Sequence, residues 1–470
     1  MGASGFPPGP PFARGWGTAL GRAVLAAGVL GVLAEGIAFA VYLVGTRRGS
    51  VPNVARAGGV LFAWFHHVPV VFTIGSGPPS GYLSERLPSL TLAMAAMLGT
   101  LLAGLLLYRG GRAVGARAGG TAGVRGLHGM KVALPYAAIS LAAAFGTRLQ
   151  DVRLASAGSF RALRVALVTV HPAYVPAFVW PLALGLLFGF AGGFLSVGPT
   201  AWTRGIAFSR WRGALAGAVW MIGLGMLLSF VALLGLAAAE PGATAAYFRA
   251  VMDRGATRGL VVIGLNLLVL PNMAMWVLTA AMGTCLAVSA GRISDCFLSY
   301  SRFPSGAGAL RLLGVRLPLG GPVAPPAGYF AFLLVPTLAV VVGGMMAARR
   351  GAQAASVDGR VAGRREGALT GALAGAVFGA LVLLASVLAS IAFVVRGIGS
   401  GAGRLAFSSS STRFLIGPRP LQAGILAALW GIAGGAIGGA LRRPGPEAPG
   451  AGAEGISATS IGPEPQLPSS

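Results

Sequence analysis

The sequence predicts an all-α, polytopic helical membrane protein with about eight transmembrane helices plus one re-entrant or broken helix. Three observations carry that reading. Apolar residues make up 55% of the 470 and charged ones only 10%, with a mean hydropathy of +0.77, outside the range of an ordinary soluble chain. The apolar residues gather in runs that reach the roughly 20 residues one crossing needs. Glycine, at 76 copies, is concentrated in those runs, as expected where helix backbones approach closely in lipid.

The formal net charge of +25 is carried almost wholly by arginine, Lys131 being the only lysine. These arginines fall in the gaps between apolar runs. That placement suits interface anchors and contacts to anionic headgroups of membrane lipids, not a nucleic-acid surface. No Walker lysine loop, HExxH or GxSxG in strand–helix context occurs, so no cofactor is expected and an enzyme ranks last. Cys285 and Cys296 lack metal-ligand company. A bridge between them requires both to face an oxidising side, and the reading here is of two unpaired thiols.

In chain order, residues 1–15 read as a flexible N-terminus, 16–441 as a polytopic membrane domain and 442–470 as a disordered, cytoplasmic tail. The first helix is 16–45. A cleaved signal peptide ending near Ala38-Phe39-Ala40 is the alternative, but the run is too long and carries Glu35. Residues 58–74 are short and interrupted by His66, His67 and Pro69, which suits an interfacial or partly inserted segment better than a full span. Helix 87–108 leads into a short basic loop, the best cytoplasmic marker, and 132–147 returns. Loop 148–172, helices 173–198 and 213–239, and a polar surface connector at 240–258 follow. Beyond residue 291 come a loop at 292–326, helices 327–348 and 367–395, a Gly/Ser loop at 396–420 and helix 421–441.

Residues 259–291 decide the topology. They exceed one crossing, and Asn266, Pro271 and Asn272 stand near the middle. Proline removes a backbone donor and clashes with the preceding turn, so either one kinked helix crosses or two half-helices enter and leave on one side. The re-entrant reading sends helices 87–108, 173–198, 327–348 and 421–441 into short arginine-bearing segments on the same side, which fits the positive-inside rule better locally. The basic residues of the whole chain nevertheless divide almost evenly between the two sides, the outer ones at lower density in long loops.

A weak internal repeat runs through the same frame. Descending helices begin near Pro88, Pro176, Pro336 and Pro420, and three carry late glycine pairs at Gly192-Gly193, Gly343-Gly344 and Gly434-Gly435. Glycines also recur at four-residue spacing, as Gly185, Gly189 and Gly193, as Gly367, Gly371, Gly375 and Gly379, and as Gly431, Gly435 and Gly439. Each series forms a stripe for close helix packing, within the chain or against a membrane-protein partner. Glu35 is the one acidic residue well inside a span. It is either an ion-coupling or helix-pairing carboxylate or close enough to the interface to reach water. His66-His67 invites a pH-sensing or metal reading, and interfacial side chains explain the pair more simply. Asn266, Pro271 and Asn272 either line a path, as broken helices do in transporters, or stabilise a kink.

His67-Val68-Pro69, then Leu107-Tyr108-Arg109-Gly110-Gly111-Arg112, then Leu270-Pro271-Asn272 followed by Trp276 give the chain a likeness to a known family. In the order of these features it resembles the actinobacterial PerM-like cell-division membrane proteins. It departs from them after the tryptophan, where Ala281-Met282-Gly283-Thr284-Cys285 replaces a Gly-Pro-Gly turn. The resemblance implies a role in envelope or division integrity, exercised by binding membrane partners.

Overall fold

The computed structural model describes residues 15–44, 51–75, 89–153, 167–196, 206–253, 255–290, 293–300, 303–312, 315–321, 327–356, 363–396, 399–401, 404–406 and 411–441. The proposed N-terminal segment, save Gly15, and the proposed C-terminal tail lie outside the described residues.

The membrane domain is helical and is built twice. The first half holds α1 (Trp16–Val44), α2 (Val51–Trp64), the pair β1 (Val70–Gly75) and β2 (Ser89–Ala93), and α3 (Met97–Ala118). It continues through α4 (Ala122–Gly129) and α5 (Ala133–Gly146), the pair β3 (Leu149–Arg153) and β4 (Leu167–Pro172), and α6 (Tyr174–Phe194). The second half opens with α7 (Ile206–Ala239), α8 (Pro241–Met252), α9 (Ala256–Ala281), β5 (Leu286–Ala290) and β6 (Ile293–Leu298). An inserted hairpin, β7 (Phe303–Leu312) and β8 (Val315–Gly321), comes before α10 (Leu334–Ser356) and α11 (Arg364–Ala389). Next is β9 (Ile391–Arg396), then a small inserted pair, β10 (Gly399–Gly401) and β11 (Arg404–Ala406). β12 (Ser411–Pro418) and α12 (Pro420–Ala440) complete the half.

One eight-stranded antiparallel sheet joins the halves in the order β3-β4-β1-β2-β9-β12-β5-β6, four strands from each, with the seam at β2 and β9. Corresponding strands pair alike: Val70 lies opposite Pro172 and Leu286 opposite Pro418. From sequence alone these strands fall in expected loops or helix ends, with β2 inside the expected helix 87–108. Runs such as Val-Val-Phe-Thr-Ile-Gly and Ile-Ala-Phe-Val-Val-Arg are too short for periodicity to separate a strand from a helix end.

Glycine stripes set the helix packing. Gly189 on α6 meets Gly111 on α3 and Gly129 on α4, and Gly435 on α12 meets Gly344 on α10 and Gly371 on α11. Gly192 lies against the Tyr108 carbonyl and Gly438 against that of Val341. Gly185 abuts Ala133, Gly193 abuts Arg125, and Gly367, Gly375 and Gly379 meet Gly439, Gly431 and Ala428. All the predicted stripes therefore pack within the chain, where close backbone approach gains dispersion contacts that lipid alone cannot supply. The repeat pairs Gly192 with Gly438 rather than with Gly434. The similar openings at Arg212 and Glu366 belong to non-equivalent helices, which an Arg210–Glu366 ion pair at 3.3 Å ties together.

Four helices, α3, α6, α10 and α12, leave the sheet and end away from it, as the re-entrant reading requires. Eight helical stretches among the described residues are long and apolar enough to span a membrane, α9 and the continuous run of α4 and α5 (Ala122–Gly146) among them. α3, with Arg109, Arg112 and Arg117 near its end, falls short by composition. Connectivity reverses the roles of those two. α3 leaves the sheet and α5 returns to it, so α3 crosses. α9 is entered from the sheet end, where α7 finishes, and gives on to β5 in the same sheet.

A Gly375→Ala variant places a Cβ on the Gly431 carbonyl and should lower stability by about 1–3 kcal/mol. Gly28→Ala, whose Cβ meets nothing within 4 Å, should be neutral or slightly stabilising. Thermal unfolding in detergent distinguishes the two.

Candidate functional site: two helix ends inside the membrane and a cavity at Glu35

α2 and α9 both stop among the other helices, α2 beside the first turn of α3 and α9 beside the middle of α12. Asn272 on α9 is level with the first turn of α3, whereas Met282, just past its end, accepts a hydrogen bond from Trp430, midway along α12, at 3.3 Å. From Met282 the chain climbs back: Arg419 N–H, at the start of α12, donates to Cys285 O. α9 thus goes in from the sheet end and the chain turns back to the sheet, the path the re-entrant reading expects. The helix runs through Pro271 without interruption and breaks instead at 282–285. α2 does the same in the first half, turning at 65–69 into β1.

The two turns are the same structure. Val68 N–H donates to Ala63 O and Thr284 N–H to Thr279 O, and each turn contains one left-handed residue, His67 at φ 58° and Gly283 at φ 94°. Glycine adopts that conformation freely, whereas a histidine pays roughly 1 kcal/mol for it. His67 packs edge-on against Trp180.

A helix that ends in lipid must find donors for its last carbonyls. In α9 the backbone N–H groups of Met282, Gly283 and Thr284 serve Leu278, Thr279 and Ala280, and the Tyr300 hydroxyl serves Ala281 at 3.1 Å. In α2, Phe65, His66, His67 and Val68 supply backbone donors, Ala96 N–H adds one to Trp64 O, and the Thr100 hydroxyl donates to Phe65 O at 2.7 Å. The remaining carbonyl, that of Phe62, accepts from His66 Nδ1 at 2.7 Å. This leaves His66 Nε2 to accept from the Tyr136 hydroxyl at 2.5 Å. His66 is fully buried, so the interfacial reading of the pair gives way to a capping one. No metal-binding group of His, Cys, Asp and Glu occurs among the described residues.

Asn272 also does structural work. Its Oδ1 accepts from Met97 N–H at 3.1 Å and its Nδ2 donates to Ala95 O at 2.8 Å, which clasps α9 of the second half to the start of α3 in the first. The apolar cores interlock at the same place: Ala95 and Met97 belong to the second half's core, and Leu268 belongs to the first half's. Asn266 is exposed and pairs with the Tyr247 hydroxyl on α8. Cys285 and Cys296 form a disulfide across β5 and β6, in place of the expected free thiols. The hairpin brings their Cα atoms to 5.7 Å, a proximity that no spacing rule in the sequence announces.

Glu35 lines a cavity of about 580 Å³ between α1, α2 and α5. Its carboxylate lies against Gly58, and Arg56 and Thr147 stand toward the sheet end of the same cavity. Among the described residues Glu35 forms no ion pair.

Asn272→Ala leaves Met97 N–H and Ala95 O without their partner in a buried setting and should cost about 2 kcal/mol or more. Asn266→Ala should fall within about 0.5 kcal/mol of the parent. Chemical unfolding in detergent measures both.

No protein-family model matches the chain, and no characterised protein or solved structure proves similar to it.

Proposed function

We propose that this is a non-enzymatic scaffold or stability factor of a bacterial cell membrane, acting in the envelope or division machinery through membrane-protein partners, as its likeness to PerM-like proteins suggests. The observation that supports this most is where the polar groups on and around the two re-entrant helices are spent. Asn272, His66, Thr100 and Tyr300 bond helix ends and the seam between the halves, the work of a rigid platform.

The orientation proposed is sheet outward and tail in the cytoplasm. Two features at opposite ends favour it. The disulfide lies at the sheet and calls for an oxidising compartment, and the helix ends at the far side carry Arg117, Arg125, Arg349 and Arg350. The sheet also bears Arg396 and Arg413, but in the longer connections, which weigh less.

A permease is the second reading, and the cavity at Glu35 favours it. Complementation of a deletion strain separates the two. For a scaffold, Glu35→Gln restores envelope integrity as well as the parent does, and Asn272→Ala fails only as far as its protein level falls. Failure of Glu35→Gln at a normal protein level supports the permease instead. Impermeant maleimide on intact cells checks the orientation: Thr412→Cys should label and Arg349→Cys should not, and the reverse pattern contradicts it.

A further inference from the structure

The duplication allows the cavity at Glu35 to be compared with the corresponding place in the second half. Aligning the turns at His67 and Gly283 puts Gly59 where α9 has Met275, and Arg56 where it has Asn272. Aligning the buried rings Tyr136 and Phe378, and with them the starts of β3 and β9, puts Gly146 where α11 has Leu388. In the second half Met275 and Leu388 sit in the core that α7, α9 and α11 share, beside Leu278, the counterpart of Phe62. In the first half the corresponding place is hollow. Its floor is alanine and glycine, and among the described residues that line it only Glu35 and Arg56 carry a charge. One scaffold thus carries Met275 and Leu388 in one copy where the other has Gly59 and Gly146.

Polarity is ordered along the cavity. Arg56, Glu35 and Thr147 lie toward the sheet end, and Val24, Phe62 and Ile139 lie deeper along the same helices. A carboxylate at membrane depth is costly unless a cation meets it, and Glu35 forms no ion pair among the described residues. A purely anionic headgroup would suit Arg56 but be repelled by Glu35. A headgroup carrying both a primary ammonium and a phosphate satisfies the two side chains together, with its acyl chain on the apolar floor.

We infer that the cavity between α1, α2 and α5 is a binding site for a zwitterionic, ethanolamine-type phospholipid, its ammonium on Glu35 and its phosphate on Arg56. The full-length protein, reconstituted in vesicles of equimolar phosphatidylethanolamine and phosphatidylglycerol and then extracted in mild detergent, is read by native mass spectrometry. The parent should retain phosphatidylethanolamine with about fivefold preference, the scale of one solvent-accessible ion pair. Glu35→Gln should bring the preference to near unity. Gly31→Leu, at a position where an added Cβ meets nothing within 4 Å, should reduce the lipid retained without lowering the unfolding temperature. A parent without preference, or a preference unchanged in both variants, overturns the site.

Discussion

The constraint on which the structure turns is that no backbone carbonyl survives unpaired in lipid. Two helices end there, and at each end every one of the last carbonyls finds a donor. The first donors come from the returning chain itself, through a turn with one left-handed residue. The rest come from neighbouring elements: Thr100 and Ala96 at the end of α2, Tyr300 and Trp430 at the end of α9. Because those donors sit on α3, on the segment after β6 and on α12, the helix ends can be capped only when the surrounding helices and sheet are in place. Local satisfaction and global assembly are therefore one event.

The same constraint accounts for the joining of the halves. α2 and α9 return toward the sheet as strands, whose own backbone groups then need partners, and β2 meets β9 to continue one sheet across the duplication. Asn272 reinforces the seam from the membrane side by bonding the two backbone groups that flank Ala96. Trp276 adds a bond from α9 to Ala389 O at the end of α11, at 3.0 Å. What an isolated stretch of sequence presents as a polar interruption in an apolar run is, in the folded chain, a joint.

Much of the helical frame was legible because apolar runs and four-residue glycine spacing report directly on lipid exposure and backbone approach. The common direction of α3, α6, α10 and α12 could be inferred from where the arginines fall. The repeat was only partly legible. Glycine pairs suggested it, but the true correspondences, such as Tyr136 with Phe378 and His67 with Gly283, share shape and backbone conformation rather than residue type. The strands were illegible for their brevity, and so was the role of His66, since its partners Phe62 O and Tyr136 come together only when α2 packs on α5. Glu35 stood out as the one acidic residue inside an apolar run, whereas the cavity around it depends on glycines from three helices and is visible only in space.

Depth along α9 tests the central claim most directly. Nitroxide labels at Leu260, Leu267 and Met273, whose side chains are 61%, 52% and 49% exposed, can be ranked in bilayers by the contrast between oxygen and nickel-complex accessibility. A helix that enters from the sheet end and stops inside the membrane places Met273 deepest, clearly below Leu267. A helix that crosses once places Leu267 at least as deep as Met273, and that result would contradict the account.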